Sequence, residues 1–379
     1  MAQTAGSPSI DGFLQDPRFH QSFTFHVNPS EGENQTTLQV KYVDFGYRNE
    51  ANPEEENVLL FFPPLMASRL LHITKDDLAK RHKVRFISLD RPGFGGTDEV
   101  ALEKRVSISR GTSDIHFGVV TDTAAEMVLA LLKHLGIKHV SVACHSGGTV
   151  YAFDMLLHHP EILHPDRPYF AIAAPWILPS HSHVLSMTLT QAIPNGVMAH
   201  ADKVIGFVNS TLLPVISTST GFSQTFVNLT KSSQPDASGD PDAKFEESLA
   251  PKQFKLIHSE NIRGMSHEPI FLMQNIKGID GWGDWKDYDD LKPKLVEALK
   301  RTTTKPLSMD VFFAEKDHMV GDAATQGPEW FEKCWNAEEA KDVISYSSTV
   351  LSGADHETAW SIALGVPKRV FERISGQNA

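Results

Sequence analysis

The stretch Val140-Ser141-Val142-Ala143-Cys144-His145-Ser146-Gly147-Gly148-Thr149-Val150 decides the fold. Val140 to Cys144 is the short apolar run of a strand buried on both faces, and Gly147 to His158 has helical periodicity. A strand that turns straight into a helix needs small residues two before and two after the turning residue, because the backbones crowd there. Cys144 and Gly148 meet that need around Ser146. Such a turn holds one side chain in a strained, projecting position, where a nucleophile is useful. Moving the register to make Cys144 the nucleophile puts the β-branched Val142 where a small residue is required, and so favours Ser146.

The same alternation extends in both directions. Upstream, Asn57 to Phe62 and Val84 to Leu89 are solid apolar runs separated by a helical segment, Ser68 to Arg81. His20 to Val27 and Leu38 to Tyr47 alternate apolar and polar residues around Asn28 to Gln35, which predicts two antiparallel strands joined by a turn. Thr121 to Leu135 is helical, and Tyr169 to Ala174 is a further strand. After a break the beat resumes with helix Leu291 to Arg301, strand Ser308 to Ala314, helix Glu329 to Glu338, strand Ile344 to Val350 and a last helix from about Thr358 to Ile374. The expected class is α/β: a mostly parallel central sheet with helices on both faces, antiparallel edge strands and an inserted helical cap. The break is the cap, where helical fragments surround a Pro-, Ser-, Asp- and Gly-rich stretch, Lys231 to Asp242. The expected division is a loosely ordered arm over 1–17, a core over 18–180 and 292–379, and a cap or lid over 181–291.

Composition excludes several function classes. The chain has 379 residues, 41% hydrophobic and 22% charged, which permits a large buried core. Against 47 acidic residues stand 35 basic ones, and the formal charge of -12 disfavours nucleic acid or an anionic membrane as partner. No stretch reaches about 18 uninterrupted apolar residues, so no spanning helix is expected. Met1 to Gln15 lacks the basic start and apolar run of a signal peptide, and two cysteines fit a reducing, cytoplasmic setting.

A serine nucleophile needs a histidine base, and the histidine needs an acid to fix its tautomer. With an elbow of this type the chain order is Ser, then Asp or Glu after a late strand, then His after the last one. Asp317 follows the strand Ser308 to Ala314, and His356 follows Ile344 to Val350. Glu315 and Asp322 compete with Asp317, and His318 competes with His356. Tyr169 to Pro179 holds no carboxylate, which removes the other place an acid could come from.

Together these residues resemble the α/β-hydrolase superfamily over about residues 38 to 375. Asp90-Arg91-Pro92-Gly93-Phe94-Gly95 is similar to the turn common after that family's fourth strand. One departure stands out: the family usually has His-Gly after its third strand, where this chain has Pro63-Pro64. Proline has no N–H. The resemblance then implies an oxyanion hole made by the N–H groups of Leu65 and Gly147. A serine at the elbow also separates the chain from dehalogenases and epoxide hydrolases of the family, which carry Asp there.

The reaction implied is hydrolysis of an ester, thioester or lactone of a hydrophobic small molecule through an acyl-enzyme, with no cofactor. The alternatives are an enzyme that cleaves C–C bonds or cyclises its substrate on the same scaffold, and a non-catalytic binding protein. Phe207, Leu212, Leu213, Phe222 and Phe226 give the cap an apolar character that suits a hydrophobic substrate, as would packing on the sheet. Trp176 and Trp282 are candidates for the pocket wall, with core packing an equal reading. His158-His159 and His181-Ser182-His183 have no carboxylate or cysteine at ligand spacing, and no metal is expected there.

Overall fold

The computed structural model describes residues 10–27, 36–65, 67–105, 123–200 and 239–376. Among them lies one eight-stranded sheet: β1 (Gln21–Val27), β2 (Thr36–Gly46), β3 (Asn57–Phe62), β4 (Val84–Leu89), β5 (Ser141–Ser146), β6 (Tyr169–Pro175), β7 (Leu307–Ala314) and β8 (Ile344–Leu351). Their order across the sheet is β1-β2-β4-β3-β5-β6-β7-β8. β1 and β2 pair antiparallel, β2 meets β4 antiparallel, and β3 to β8 run parallel. The expected turn over Asn28 to Gln35 lies outside the described residues, as do Phe207, Leu212, Leu213, Phe222 and Phe226 of the expected cap.

The solid apolar runs follow from the layers on either side. Val58, Leu60 and Phe62 of β3 belong to one buried cluster, and Leu59 and Phe61 to another. The first face is covered by α3 (Thr123–His134), α4 (Gly148–His158) and two later helices, Tyr288–Thr302 and Gln326–Trp335. The second is covered by α2 (Asp76–Arg81) and the last helix, Val366–Ser375. A central strand flanked by helices on both faces has no solvent side, which is why it does not alternate.

Two segments behave differently from the sequence expectation. Ile10–Leu14, inside the arm read as loosely ordered, forms a one-turn helix (α1); Phe13 stands 5.1 Å from Phe19 and 5.1 Å from Phe245, ring centre to ring centre. The segment Ser68 to Arg81 is a 3-10 helix, Arg69–Lys75, before it becomes α2. Its tight turns bury Arg69 and Lys75, which pair with Asp90, Glu260 and Glu246. α5 (Pro179–Ser182) straddles the start of the span assigned to the cap, and within that span come α6 (Leu185–Gln191), α7 (Asn195–Met198), α8 (Pro241–Ser259) and α9 (Gly264–Leu272). α8 is fastened to the core: Glu246 accepts from Lys75, and Gln253 donates to the carbonyl of Leu71 at 3.0 Å. No helix among the described residues is long and apolar enough to cross a membrane.

Candidate active site

Ser146 closes β5 with φ at +51°, a left-handed conformation that costs a residue with a Cβ about 1–2 kcal/mol. Packing imposes it. α4 begins against the end of β3, where a Cβ on Gly148 would lie 2.2 Å from the Phe62 carbonyl oxygen. Gly148→Ala is therefore expected to destabilise the protein by about 3 kcal/mol through forced displacement of that backbone, a loss that urea denaturation would measure. Cys144 fills the other small position. It is fully buried opposite Phe62, with its thiol 3.7 Å from the Thr149 hydroxyl. Burial pushes the Cys144 thiol well above its ordinary pKa, which disfavours the thiolate a nucleophile requires.

The parallel sheet delivers three side chains to the same edge. His356, on the loop after β8, has Nε2 2.7 Å from Ser146 Oγ and Nδ1 2.7 Å from Asp317 Oδ2. Asp317 Oδ1 accepts the backbone N–H groups of Met319 and Val320 at 2.9 Å each, so the carboxylate has little freedom to rotate. With Nδ1–H donating to Asp317, Nε2 is left to accept the Ser146 hydroxyl proton. All three residues are buried.

Burial alone would drive both ionisable partners toward their neutral forms. Their mutual attraction and hydrogen bond outweigh it, holding Asp317 below the usual carboxylate range and His356 above the usual imidazole range. A general base must be neutral, so turnover should rise with pH through the His356 pKa. The expected kcat/KM profile has an acid limb displaced upward from the ordinary imidazole value, read from a pH-rate series on the wild type.

The competing residues take supporting positions. Glu315 accepts the Gly353 N–H at 2.6 Å and the Ser352 hydroxyl at 3.1 Å, tying the end of β7 to the loop that carries His356. Asp322 accepts the N–H of Asp317 at 2.8 Å. His318 faces exposed Glu357 at 3.5 Å. His145 was not singled out from the sequence: it is buried, and its Nε2–H donates to the backbone carbonyl of His356 at 2.7 Å. Burial, with His356 nearby, pushes its pKa down to about 3 and keeps it neutral. Only its place inside the elbow signalled it.

The Leu65 amide nitrogen would lie 3.6 Å from a Cβ on Gly147, so the two amide-bearing backbones run side by side next to Ser146. Leu65 N–H meets no backbone acceptor among the described residues. The same Cβ would stand 2.7 Å from Leu272 Cδ1, at the end of α9, which places an apolar side chain of that helix over this spot. Arg91 donates to the carbonyls of Pro63, Pro64 (2.7 Å) and Leu65 (3.1 Å). Trp176 and Trp282 are buried, and their indole N–H groups donate to Leu272 and Phe271 carbonyls at 3.2 and 3.1 Å. They thus fasten the end of α9. His158 pairs with Asp284 at 2.9 Å and His181 with Asp287 at 2.7 Å. Among the described residues no group of three His, Cys, Asp or Glu is placed to hold a metal.

No family model matches the sequence, and no curated protein does. Solved structures do match. An esterase from Thermogutta terrifontis superposes with TM-score 0.50 at 13% identity, over 94% of this chain and 97% of that one. A membrane phospholipase A gives 0.53 at 13% identity, over 98% and 92%. The chain has the α/β-hydrolase fold. An esterase from Exiguobacterium antarcticum shares that hydrolase fold at TM-score 0.50 and 12% identity, over 93% and 98%. In the frame of the α/β-hydrolase fold, Ser146 occupies the elbow between β5 and α4, and Asp317 and His356 occupy the loops after β7 and β8.

Proposed function

We propose that the protein is a serine hydrolase that cleaves an ester, thioester or lactone of a hydrophobic small molecule through an acyl-enzyme. The observation that carries this reading is the unbroken path from Ser146 Oγ to His356 to Asp317, two contacts of 2.7 Å each, on a serine held at positive φ. Ser146 attacks the acyl carbonyl as His356 Nε2 takes its proton. The resulting imidazolium is stabilised by Asp317 and returns the proton to the leaving group. The amides of Leu65 and Gly147, at the N-terminal end of α4, stabilise the tetrahedral oxyanion. Water then enters by the same route and releases the acid.

Leu272 against Gly147 supports an apolar acyl group, and two free, buried cysteines support a reducing, cytoplasmic setting. The test is a screen of p-nitrophenyl esters of increasing chain length, thioesters and lactones in water enriched in oxygen-18. The expected result is turnover with the heavy oxygen in the product acid. Turnover without that oxygen would replace hydrolysis by acyl transfer, cyclisation or C–C cleavage.

A further inference from the structure

We propose that Arg91 is a positioning residue that aims the Leu65 N–H into the oxyanion hole, and that Glu268 of the cap helix α9 holds Arg91 in that orientation. The inference rests on the serine-hydrolase reading for its catalytic consequence, while its structural content stands apart from it. Pro63 and Pro64 offer no amide proton, so this loop has only Leu65 to give. A trans peptide unit is planar, with its C=O and N–H pointing in opposite directions. Fixing the Pro64 carbonyl therefore fixes the Leu65 N–H that shares its peptide plane. Arg91 fixes it: one guanidinium collects the carbonyls of Pro63, Pro64 and Leu65, and holding the Pro64 carbonyl holds the Leu65 nitrogen beside Gly147, 3.6 Å from where a Cβ on that glycine would stand. A lysine could not span three carbonyls with one ammonium in this way, whereas the guanidinium fork is rigid and planar.

The guanidinium is itself held from several sides. It lies 5.4 Å from the ring centre of Tyr151 and 5.1 Å from that of Phe94, which favours one plane for it. Its Nε stands 3.2 Å from a carboxylate oxygen of Glu268, a fully buried residue of α9. Glu268 also accepts the Tyr151 hydroxyl at 2.7 Å and faces Arg105 at 3.4 Å. Tyr151 belongs to α4, the helix that begins immediately after the Ser146 elbow. One buried network thus joins the oxyanion loop, the nucleophile's helix and a helix of the cap. Buried charges persist only when paired, so removing Glu268 leaves two guanidinium groups without their shared counter-charge.

The glycines of the Asp90 to Gly95 turn serve the same junction. Gly264 N–H donates to the Gly93 carbonyl at 2.8 Å, and Gly95 and Asn261 exchange backbone hydrogen bonds of 2.9 and 3.1 Å. A Cβ on Gly264 would fall 2.1 Å from the Phe94 ring. The turn that carries Arg91 is therefore bonded to the segment leading into α9, which fixes Glu268 relative to Arg91.

The experiment compares Arg91→Met, Arg91→Lys and Glu268→Gln with the wild type, using two readouts. The first is kcat and KM for an ester substrate, per Ser146 titrated with a fluorophosphonate. Both Arg91 variants are expected to lose about 10- to 100-fold in kcat with KM little changed, because a misplaced oxyanion donor weakens transition-state binding above all. Glu268→Gln should lose less, in the same direction. The second readout is amide hydrogen exchange, expected to accelerate in the peptide containing Leu65 while β7 and β8 keep their protection. Unchanged kcat per titrated site, or exchange that rises throughout the chain or nowhere, would overturn the proposal. Should Arg91→Met fail to fold, Arg91→Lys and Glu268→Gln decide. A wild type inert toward every acyl substrate would instead sink the hydrolase reading, and the exchange pattern alone would then decide the clamp.

Discussion

Ser146→Ala is expected to lower kcat by about 10^4-fold or more, leaving only the turnover that binding and the oxyanion hole sustain. The size follows from removing the atom that, in the proposed acyl-enzyme route, bonds to the acyl group. The fold should survive, because alanine keeps the Cβ and brings no new contact into the elbow. What is lost is one buried hydrogen bond to His356, worth about 1 kcal/mol, or a Tm change of about 2 °C in a chain of this size. Part of even that loss is offset, since the Ser146 hydroxyl no longer needs a buried acceptor. Steady-state kinetics beside thermal unfolding would check both halves. A variant that keeps more than about one per cent of wild-type turnover while folding normally would mean that another group carries the chemistry.

Asp317→Asn is expected to cost about 10^4-fold in kcat while changing the shape of the site very little. The amide oxygen can go on accepting the Met319 and Val320 N–H groups, so the side chain stays where it is. Its NH2 then faces His356 Nδ1, where the carboxylate oxygen had been. That arrangement favours the tautomer with the proton on Nε2, directed at Ser146, and a protonated Nε2 cannot accept the serine proton. The charge that raises the His356 pKa is lost at the same time. The residual activity should therefore show its acid limb at lower pH than the wild type. An unchanged limb would contradict the assignment of Asp317 as the partner of His356.

The elements that define the sheet were legible because burial on both faces writes itself into composition. Asn57–Phe62 and Val84–Leu89 are read from the sequence with the bounds the structure gives them. The candidates Asp317 and His356 were read from chain order, since the loops after successive parallel strands all open at one end of the sheet. Where polar residues are buried by distant partners the pattern gives no warning. Arg69 and Lys75 look like the exposed face of a helix, but Asp90, Glu260 and Glu246 draw them inward and the backbone winds into a 3-10 helix. The last helix begins at Val366 instead of about Thr358. Thr358 closes the Asp355 turn that presents His356, and Gly365, at φ +74°, precedes the helix, whose first turn holds Pro367.

The same blindness to long-range pairing hid Arg91. Its motif is visible in the sequence, but its grip on Pro63, Pro64 and Leu65 depends on β3 and β4 being neighbours. Trp176 and Trp282 suggest a pocket wall from the sequence; both have their indole N–H groups committed to the carbonyl end of α9, and Trp282 borders a cavity together with Phe62, Arg91, Tyr151 and Phe271. The elbow was legible because its small residues, 144 and 148, keep a fixed spacing around Ser146, although the atom that excludes a Cβ from Gly148 is the distant Phe62 carbonyl oxygen of β3.

The most direct test of the account is the site of covalent modification. The protein would be treated with a fluorophosphonate at neutral pH, digested, and the adduct located by mass spectrometry, with Ser146→Ala and His356→Ala treated in parallel. The account predicts one adduct, on Ser146, absent from Ser146→Ala and formed far more slowly in His356→Ala. An adduct on any other residue, or undiminished labelling of Ser146→Ala, would contradict it.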